Sequence, residues 1–595
     1  METTEPSKTP RIPTVINGIQ VNFCKSPTCL NFGRPASEAV QGRGSHIPEE
    51  DRDTYTLSGY IGGAVLKCKH CGETPPVKSN LAISEEVERF STYLVPSIEP
   101  SCPTETCANH SVGISSPKTY LSFGKTNSGS QRYRCRLCKT TFSVGGPTLR
   151  QKRPELNEIV FKLLVNKMPF RRICEVSGLG SMNALYWKID FIHQQCLSFA
   201  GAKERRLPEI PLKRLYLSVD RQDHLINWMT TGDKRNVALS AIGCADNKSS
   251  FVFGIHVNYD SRFSPSDIDR DAKEIGDLAV RPPFRRYARL WLKADYDASL
   301  QRSQNKGSRA GRKSLGSAIS DSYKEADSRE DVEISEGQDA DRKLPGKGIQ
   351  VHSEYSMYGH FFFLKSLFKN VEKVRFFLDQ DSGIRAACLA AFWQEVLEKR
   401  CDAFFVRINK DLTIHQKQHL KAISDRSLAD FRASSASYEH LTDHDLRHIL
   451  IKERLEDLVS IGKWHDRWLF YPFPDMSEPE KAICWLTDLQ DRSYDADHLA
   501  SLYSKATLHG IDRFFMQVRR RLSLLERPIS SSSSYGRVWY GYSAYNPAMV
   551  GKLLDIFRVF YNYVEVGEDK RTPAMRLGLT TNVTQMCEIL QEATS

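Results

Sequence analysis

Long apolar runs are missing from this chain of 595 residues. A membrane-spanning helix requires about 18 or more consecutive apolar residues, and because no such stretch occurs we expect no transmembrane segment. Residues 1–13 are polar and lack the apolar core of a signal peptide. These absences predict a protein of the reducing cytoplasm that has no membrane partner.

An excess of acidic residues is also missing. The chain carries 83 Lys and Arg against 72 Asp and Glu, which gives a net charge of +11. A basic balance of this size favours a polyanionic partner, although many proteins without one have a similar charge. The length exceeds what one core accommodates, so we expect roughly three or four domains.

Cysteines are plentiful, and in a reducing compartment they are more often metal ligands or buried apolar residues than disulfides. Seven of the 15 are scattered singly, and we interpret them as core residues. The other eight form four close pairs: Cys24 with Cys29, Cys68 with Cys71, Cys102 with Cys107, and Cys135 with Cys138. The order CxxxxC then CxxC occurs twice with similar flanking residues, which indicates one module used twice.

Two close pairs of thiolates can complete a tetrahedral Zn(II) site, and a small unit of this kind depends on the metal for its folding energy. We therefore predict a first zinc ribbon at residues 1–90 and a second at 91–150, each with one structural Zn(II). Redox-active or incidental CxxC pairs are the alternative. In the second ribbon Arg132, Arg134 and Arg136 are predicted to contact DNA phosphates, unless they are only a solvated basic surface.

Residues 151–205 have the helical pattern of a helix-turn-helix DNA-binding domain. A helix from residue 155, a short helix at 169–176 and a Gly-containing turn precede a third helix that Ser181 can cap. The side chains expected to contact DNA are Arg171, Arg172, Met182, Asn183, Tyr186 and Lys188. A generic packing unit of three helices is the alternative.

The remainder of the chain predicts an α/β core with two interruptions. Strands are expected within 213–257, at 373–379 and at 402–408, with an amphipathic helix at about 383–400. Residues 300–345 have low complexity and are predicted to be a disordered insertion. Residues 411–505 predict a mainly helical insertion with one hairpin, and a long helix at about 508–526 precedes an apolar C-terminal helix.

Three acids occupy positions that suit a pair of divalent cations. Asp220 and Asp379 each close a buried strand, and Asp512 lies on the helix at 508–526 with Arg519 and Arg520. Carboxylates held in this way can bind two metals about 4 Å apart, and the arginines can position phosphate. An Asp after a strand is also a common turn former, and the helix could be a surface helix with ion pairs.

Glu526 is a competing acid on the same predicted helix. If the helix were continuous, Glu526 would lie about 21 Å beyond Asp512, too far to serve the same metal pair. We therefore favour Asp512 as the third acid.

Three segments resemble bacterial insertion-sequence transposases with a DDE-type active site. They are SGSQRYRCRLCKTTFS, HGIDRFFMQVRRRLSLLERP and FYNYVEVGEDKRTPAMRLGL, and the similarity covers roughly residues 100–260 and 345–580. The resemblance implies a ribonuclease H-like core, a mixed sheet flanked by helices, built from residues 206–410 and 506–595. It implies a triad of Asp220, Asp379 and Asp512 that holds two Mg(II) or Mn(II) ions.

The chain departs from the family pattern in three respects. The third acid is Asp where the family usually has Glu, the interval from Asp379 to Asp512 is long, and the first ribbon is an extra copy. Asp223, Asp381 or Glu526 could replace a named acid.

The resemblance implies a transposase that binds double-stranded DNA at terminal inverted repeats and at a target. It would act as a homo-oligomer, associated with the nucleoid, and would catalyse metal-dependent strand cleavage and strand transfer. A DNA-binding regulator that lacks catalysis and a zinc-dependent scaffolding protein are the alternatives.

Overall fold

The structure, a computed structural model, describes fifteen segments of the chain. These are residues 10–38, 53–58, 64–96, 99–127, 130–148, 151–226, 235–303, 315–327, 342–409, 412–462, 465–489, 494–526, 529–530, 538–539 and 546–591. Within these segments, no helix combines the length and the apolar content needed to cross a bilayer.

The two cysteine modules are built on short antiparallel strands. The first contains β1 (Tyr55–Ser58) and β2 (Val65–Cys68), and the second contains β3 (Tyr120–Lys125), β4 (Gln131–Cys135) and β5 (Thr141–Val144). Between the modules lies α1 (Asn80–Ser91), a helix not predicted from the sequence. The Ser79 side chain caps it by accepting a hydrogen bond from the Ala82 N–H.

Three helices follow, close to the predicted pattern. They are α2 (Asn157–Leu164), α3 (Phe170–Ser177) and α4 (Met182–Glu204). Gly178 ends α3 with a φ of 65°, a conformation that glycine adopts without strain. Ser181 caps α4 as predicted, because its side chain accepts a hydrogen bond from the Ala184 N–H.

The core begins with four strands and three helices, after which strands and helices are interspersed. In chain order they are β6 (Arg214–Ile226), β7 (Val237–Asp246), β8 (Val252–Val257), β9 (Tyr259–Asp260), α5 (Pro265–Glu274), α6 (Lys293–Ser303), α7 (Leu315–Asp327), β10 (Ile349–Gln350), α8 (Ser353–Leu367), β11 (Lys373–Asp379), α9 (Ser382–Ala391), α10 (Trp393–Leu397) and β12 (Cys401–Ile408). The strands expected at 213–257, 373–379 and 402–408 are therefore confirmed.

The rest of the chain adds the following elements: α11 (Ile414–Ala433), α12 (Asp443–Arg454), β13 (Val459–Ile461), β14 (Asp466–Phe470), β15 (Lys481–Trp485), α13 (Ala496–Lys505), α14 (His509–Arg521), β16 (Ile529–Ser530), β17 (Val538–Trp539), α15 (Ala548–Tyr563), α16 (Pro573–Leu577) and α17 (Met586–Gln591).

One mixed sheet of eight strands organises the core, in the order β13-β14-β15-β12-β11-β6-β7-β8. The neighbours β6, β11 and β12 are parallel, and the other pairings are antiparallel. Helices pack against the sheet: α8 contacts β7 and β8, α9 contacts β11, and α14 contacts β6 and β7. The central strands are apolar on both faces because helices cover both faces.

The hairpin predicted within residues 411–505 is present as β14 and β15, and together with β13 it extends the core sheet by three strands, which was not predicted. The prediction for residues 300–345 needs correction. The segment 300–345 is not wholly disordered, because α7 is ordered by burial of Ile319 and by a hydrogen bond from the Tyr323 hydroxyl to Asp466. Residues 304–314 and 328–341 lie outside the described residues.

Candidate active site and metal centres

Each cysteine quartet gathers its four sulfur atoms within 4.8 Å of one another. In the first quartet Cys24 Sγ lies 3.4 Å from Cys71 Sγ, and in the second Cys102 Sγ lies 3.3 Å from Cys138 Sγ. Four sulfurs bound to Zn(II) at about 2.3 Å are separated by about 3.8 Å. Both quartets could therefore hold a structural zinc ion, as the spacing predicted.

The residues around the two quartets are also repeated. The Asn31 and Asn109 side-chain amides each donate to a cysteine, Cys68 Sγ and Cys135 Sγ respectively, both at 3.2 Å. The signal in the sequence was an Asn two residues after the second cysteine of each module.

A tyrosine is shared as well, buried in the first module and half-buried in the second. The Tyr55 hydroxyl accepts from the Cys24 N–H at 2.8 Å, and the Tyr120 hydroxyl accepts from the Cys102 N–H at 2.9 Å. The two modules therefore share a supporting hydrogen-bond pattern as well as their ligands.

Thiolate character is already favoured at the last cysteine of each quartet. The hydrogen bond between the Cys24 and Cys71 side chains lowers the pKa of Cys71 to about 5. A hydrogen bond from Thr140 lowers the pKa of Cys138 to about 5. Zinc binds the thiolate form, so both environments suit the metal.

The two modules differ in how they contact the core. In the first, Phe23 and Phe32 belong to the main hydrophobic core, and the Phe23 ring lies edge-on to Trp393 with 6.2 Å between centroids. Just after this module, Lys78 Nζ pairs with Glu354 at 2.5 Å. The buried cysteines of both modules form small clusters of their own, but no described residue of the second module belongs to the main core. The first module is thus joined to the main core by Phe23 and Phe32, whereas the second has only its own small cluster of buried residues.

The basic residues predicted in the second module lie around its sheet and its second cysteine pair. The guanidinium groups of Arg132 and Arg134 lie over the Phe123 ring, at 5.3 and 5.7 Å from its centroid. Phe123 is exposed, and so is Arg136. This surface combines positive charge with an aromatic face, a combination suited to nucleic acid.

The structure places the residues predicted for the helix-turn-helix in two groups. Arg171, Arg172 and Asn183 are exposed. Lys188 is buried, and its ammonium donates to the backbone oxygens of Lys152 and Arg153 at 2.7 and 2.9 Å.

Two other expected readers are partly covered. Tyr186 packs edge-on against Phe170, and Met182 contacts Cys174. Sequence reasoning missed Trp187, which is 74% exposed one helical turn after Asn183. Its only signal was the period of the apolar residues on α4.

Asp220 and Asp379 lie side by side on adjacent parallel strands. The register pairs Leu378 of β11 with Val219 of β6, so the next residues along the two strands are these two acids. Residues in register on neighbouring parallel strands are about 4.8 Å apart and point to the same face. The sheet therefore presents two adjacent carboxylates on one face.

The helix α14 packs on that same face. Gly243 is the cross-strand partner of Asp220, and a Cβ at this glycine would lie 2.7 Å from the Ile511 side chain. Farther along, Arg519 Nη1 donates to Gln222 Oε1 at 3.2 Å. The helix thus runs along β6, with Asp512 in its first turn.

Three side chains hold the start of α14 through its first free N–H groups. The His509 N–H donates to Thr507 Oγ1 at 3.1 Å, Gly510 N–H to Asn247 Oδ1 at 3.0 Å, and Ile511 N–H to Ser218 Oγ at 3.0 Å. These N–H groups have no partner within a helix, so side chains from β6, from the turn after β7 and from the loop before α14 fix the position of the helix.

A cleft of about 1090 Å³ opens beside α14. Its acidic lining residues are Asp220, Asp223, Glu478, Asp512 and Glu526, and its basic ones are Arg221, Arg342, Lys417, Arg513 and Arg519. Two of the three predicted acids therefore line one cleft, and the strand register places the third beside Asp220. Arg520 is exposed and is not among the described residues that line the cleft, whereas Arg513, not predicted from the sequence, is.

The alternative acids are distinguished by their partners. Asp381 caps α9 by accepting from Gly383 N–H and Ile384 N–H, and it pairs with Arg221 Nη2 at 2.6 Å. Asp223 is an exposed residue on β6. Asp381 is thus already engaged in structure, while Asp223 remains available to the cleft.

The prediction that one helix carries both Asp512 and Glu526 was wrong. The helix does not continue to residue 526: α14 ends at Arg521, and a single 3₁₀ turn, Ser523–Leu525, follows. The chain therefore brings Glu526 to the same cleft, where its carboxylate pairs with Lys167 Nζ at 2.7 Å.

The three aspartates are more widely spaced than the ligands of a single ion. Among the described residues, the two cysteine quartets are the only sets of three or more potential metal ligands whose ligand atoms all lie within 4.8 Å. Carboxylates that hold two cations about 4 Å apart span a longer distance than this.

No protein-family model matches the chain, and no curated protein matches it.

Proposed function

We propose that the chain is a metal-dependent enzyme that cleaves and joins DNA strands, a transposase with a ribonuclease H-like core. The observation that carries the proposal is the register of Asp379 beside Asp220, with α14 packed on the face to which both acids point. The mixed sheet flanked by helices is consistent with such a core.

Each part of the cleft has a role in this proposal. Asp220, Asp379 and Asp512 would hold two Mg(II) or Mn(II) ions. Bound there, the ions would activate a water or a 3′-hydroxyl and stabilise the leaving oxygen of a phosphodiester. Arg519, fixed by its hydrogen bond to Gln222, would orient a phosphate with its guanidinium.

Recognition of double-stranded DNA is assigned to the N-terminal half. The basic and aromatic face of the second zinc ribbon would contact the backbone, and the exposed start of α4 would enter the major groove. Terminal inverted repeats and a target sequence are the proposed DNA partners, bound by a homo-oligomer.

Nicking of supercoiled plasmid DNA in Mg(II) tests the proposal. We expect nicking by the wild type and none by Asp379→Asn, with equal plasmid binding, because the amide keeps the volume of the side chain but removes the metal-binding charge. The matched control is Asp223→Asn, an acid of the same cleft outside the triad, which should keep its activity. Plasmid binding without nicking by either protein would instead favour a DNA-binding regulator, and equal nicking by both would exclude Asp379 as a catalytic acid.

A further inference from the structure

We define the inserted segment as described residues 412–462 and 465–489. It begins after β12 and returns to pair with β12 through β15, at the end of the sheet where the acids lie. Val406 of β12 pairs with Asp379, and β12 ends only two residues later, at Ile408. Lys481, the first residue of β15, pairs with Ile408. The start of α11 and the loop before β15 are therefore both near the acids.

Two parts of the inserted segment line the cleft. One is Lys417 in the first turn of α11, and the other is the run from Met476 to Glu478. The start of α11 is fixed by a capping box between Thr413 and Gln416. Lys417 therefore lies in the capped first turn of a helix and not in a loop.

The loop before β15 is joined to the acid helix. Glu478 is buried, pairs with Lys481 Nζ at 2.6 Å and accepts a hydrogen bond from the Thr507 hydroxyl. Lys481 Nζ also donates to the Ala506 backbone oxygen at 3.1 Å. Since Thr507 in turn holds the start of α14, the inserted segment has a fixed position relative to Asp512.

The charges across the cleft favour a polyanion between its two walls. Lys417 lines the wall formed by the inserted segment, and Arg513 and Arg519 line the wall formed by α14. A lysine ammonium binds phosphate as a point charge without a required orientation. A DNA strand lying over the acids would therefore meet a cation on each side.

We propose that the inserted segment is a DNA-binding wall of the acid cleft, in which Lys417 contacts a backbone phosphate of the bound strand. The identity of the substrate rests on the proposed function. The chain offers a close control in Lys421, one turn along α11, which pairs with Asp425 at 2.5 Å and is not among the described residues that line the cleft.

Lysine footprinting of the full chain tests this wall. The Asp220→Asn variant, which leaves the DNA intact, is acetylated with and without supercoiled plasmid in Mg(II), and labelling is read by mass spectrometry. We expect DNA to reduce labelling of Lys417 at least about threefold, because a phosphate contact covers the amine, and to leave Lys421 unchanged. Equal labelling of Lys417 with and without DNA would overturn the proposal.

A substitution pair gives a second, independent readout. Lys417→Ala should reduce the salt dependence of plasmid binding by about one unit of slope, and Lys421→Ala should not. Wild-type nicking is measured in parallel. Nicking with Lys417 unprotected overturns the wall alone, and protection without nicking overturns the catalytic proposal while supporting the wall. Absence of both nicking and DNA protection overturns both.

Discussion

The Ile511 backbone N–H donates a 3.0 Å hydrogen bond to Ser218 Oγ, and this bond joins the acid helix to the strand that carries Asp220. Ser218 and Asp220 are two residues apart on β6, so both side chains face α14. The position of Asp512 relative to Asp220 therefore depends on the Ser218 hydroxyl, which is not itself a proposed metal ligand.

Replacing that hydroxyl should impair catalysis more than folding. Ser218→Ala leaves a buried N–H without its acceptor, at a cost of about 1–3 kcal/mol, which a small shift of the helix can relieve. We expect single-turnover nicking to fall about tenfold, the equivalent of about 1.4 kcal/mol, with unchanged plasmid affinity. Ser366→Ala is the control, because the Ser366 hydroxyl donates only to Phe363 O within α8. Equal rates for the two variants would contradict this role for Ser218.

The choice of third acid is tested by two isosteric amides. We expect Asp512→Asn to lower nicking at least about 100-fold, since a metal ligand supports several kcal/mol of transition-state stabilisation. Glu526→Gln should keep most of the activity, because its carboxylate already pairs with Lys167. Mg(II)-dependent nicking rates measure both. A larger loss of nicking in Glu526→Gln than in Asp512→Asn would identify Glu526 as the third acid.

Local patterns predicted much of this molecule. The four cysteine pairs, the cap at Ser181 and the end of β11 at Asp379 depend on residues close in sequence, and each is present in the structure. The prediction that Asp220 closes its strand was wrong, because β6 continues to Ile226 through its pairing with β7. The register that places the two acids together followed from neither strand alone, because strand pairing joins residues more than 150 positions apart.

What the sequence did not predict involves distant partners. The position of Lys188 in the helix predicted an exposed side chain. Instead it is buried, because its ammonium donates to backbone oxygens of the preceding loop. The end of α14 at Arg521 has no Gly or Pro to mark it, and so the helix was predicted to continue to Glu526. The addition of β13, β14 and β15 to the core sheet depends on pairing of β15 with β12, far away in the chain.

The two zinc modules should differ in their effect on stability. Cys68→Ser removes a ligand from the module that packs on Trp393 and that precedes the Lys78–Glu354 pair, so it should lower the melting temperature of the whole chain. Cys135→Ser should spare the main transition and weaken DNA binding. Calorimetry, with zinc content measured by mass spectrometry, tests this. We expect each variant to lose one zinc ion of two, and equal melting of both would refute the difference.

Acid should destabilise the protein through buried histidines. Burial lowers the pKa of His224, which lines the cleft, to about 4. An unfolded chain takes up this proton near pH 6.5, so the free energy of unfolding falls as the pH drops from about 6.5 to about 4. The difference in pKa corresponds to about 3 kcal/mol.

Urea unfolding at pH 7 and pH 4.5 measures this loss. His224→Leu should remove most of the contribution of His224. Other buried histidines retain acid sensitivity: burial lowers the pKa values of His352 and His360 to about 3 and that of His256 well below its ordinary value. His444→Leu, at a side chain that is 82% exposed, is the control and should behave as the wild type. An unchanged pH dependence in His224→Leu would contradict the assignment.

The exposed face of α4 gives the sharpest test of DNA recognition. Asn183 and Trp187 are four residues apart and share one face of α4, the helix that follows the turn at Gly178. The Trp187 side chain is 74% exposed, so it contributes little to core packing. Trp187→Ala should therefore leave the melting temperature unchanged. If this face lies in the major groove, the indole makes apolar contact with base edges, and its loss should weaken binding to a preferred sequence.

Salt dependence separates this contact from a phosphate contact. The probe is a duplex that the wild-type protein selects from a random-sequence pool. Trp187→Ala should lower affinity for it about tenfold with an unchanged salt slope, because one base contact contributes about 1–3 kcal/mol and releases no counterion. Arg171→Ala, on the neighbouring helix, should instead reduce the slope by about one unit. If Trp187→Ala binds the selected duplex as tightly as the wild type, this face of α4 does not read DNA, and recognition must lie with the zinc ribbons.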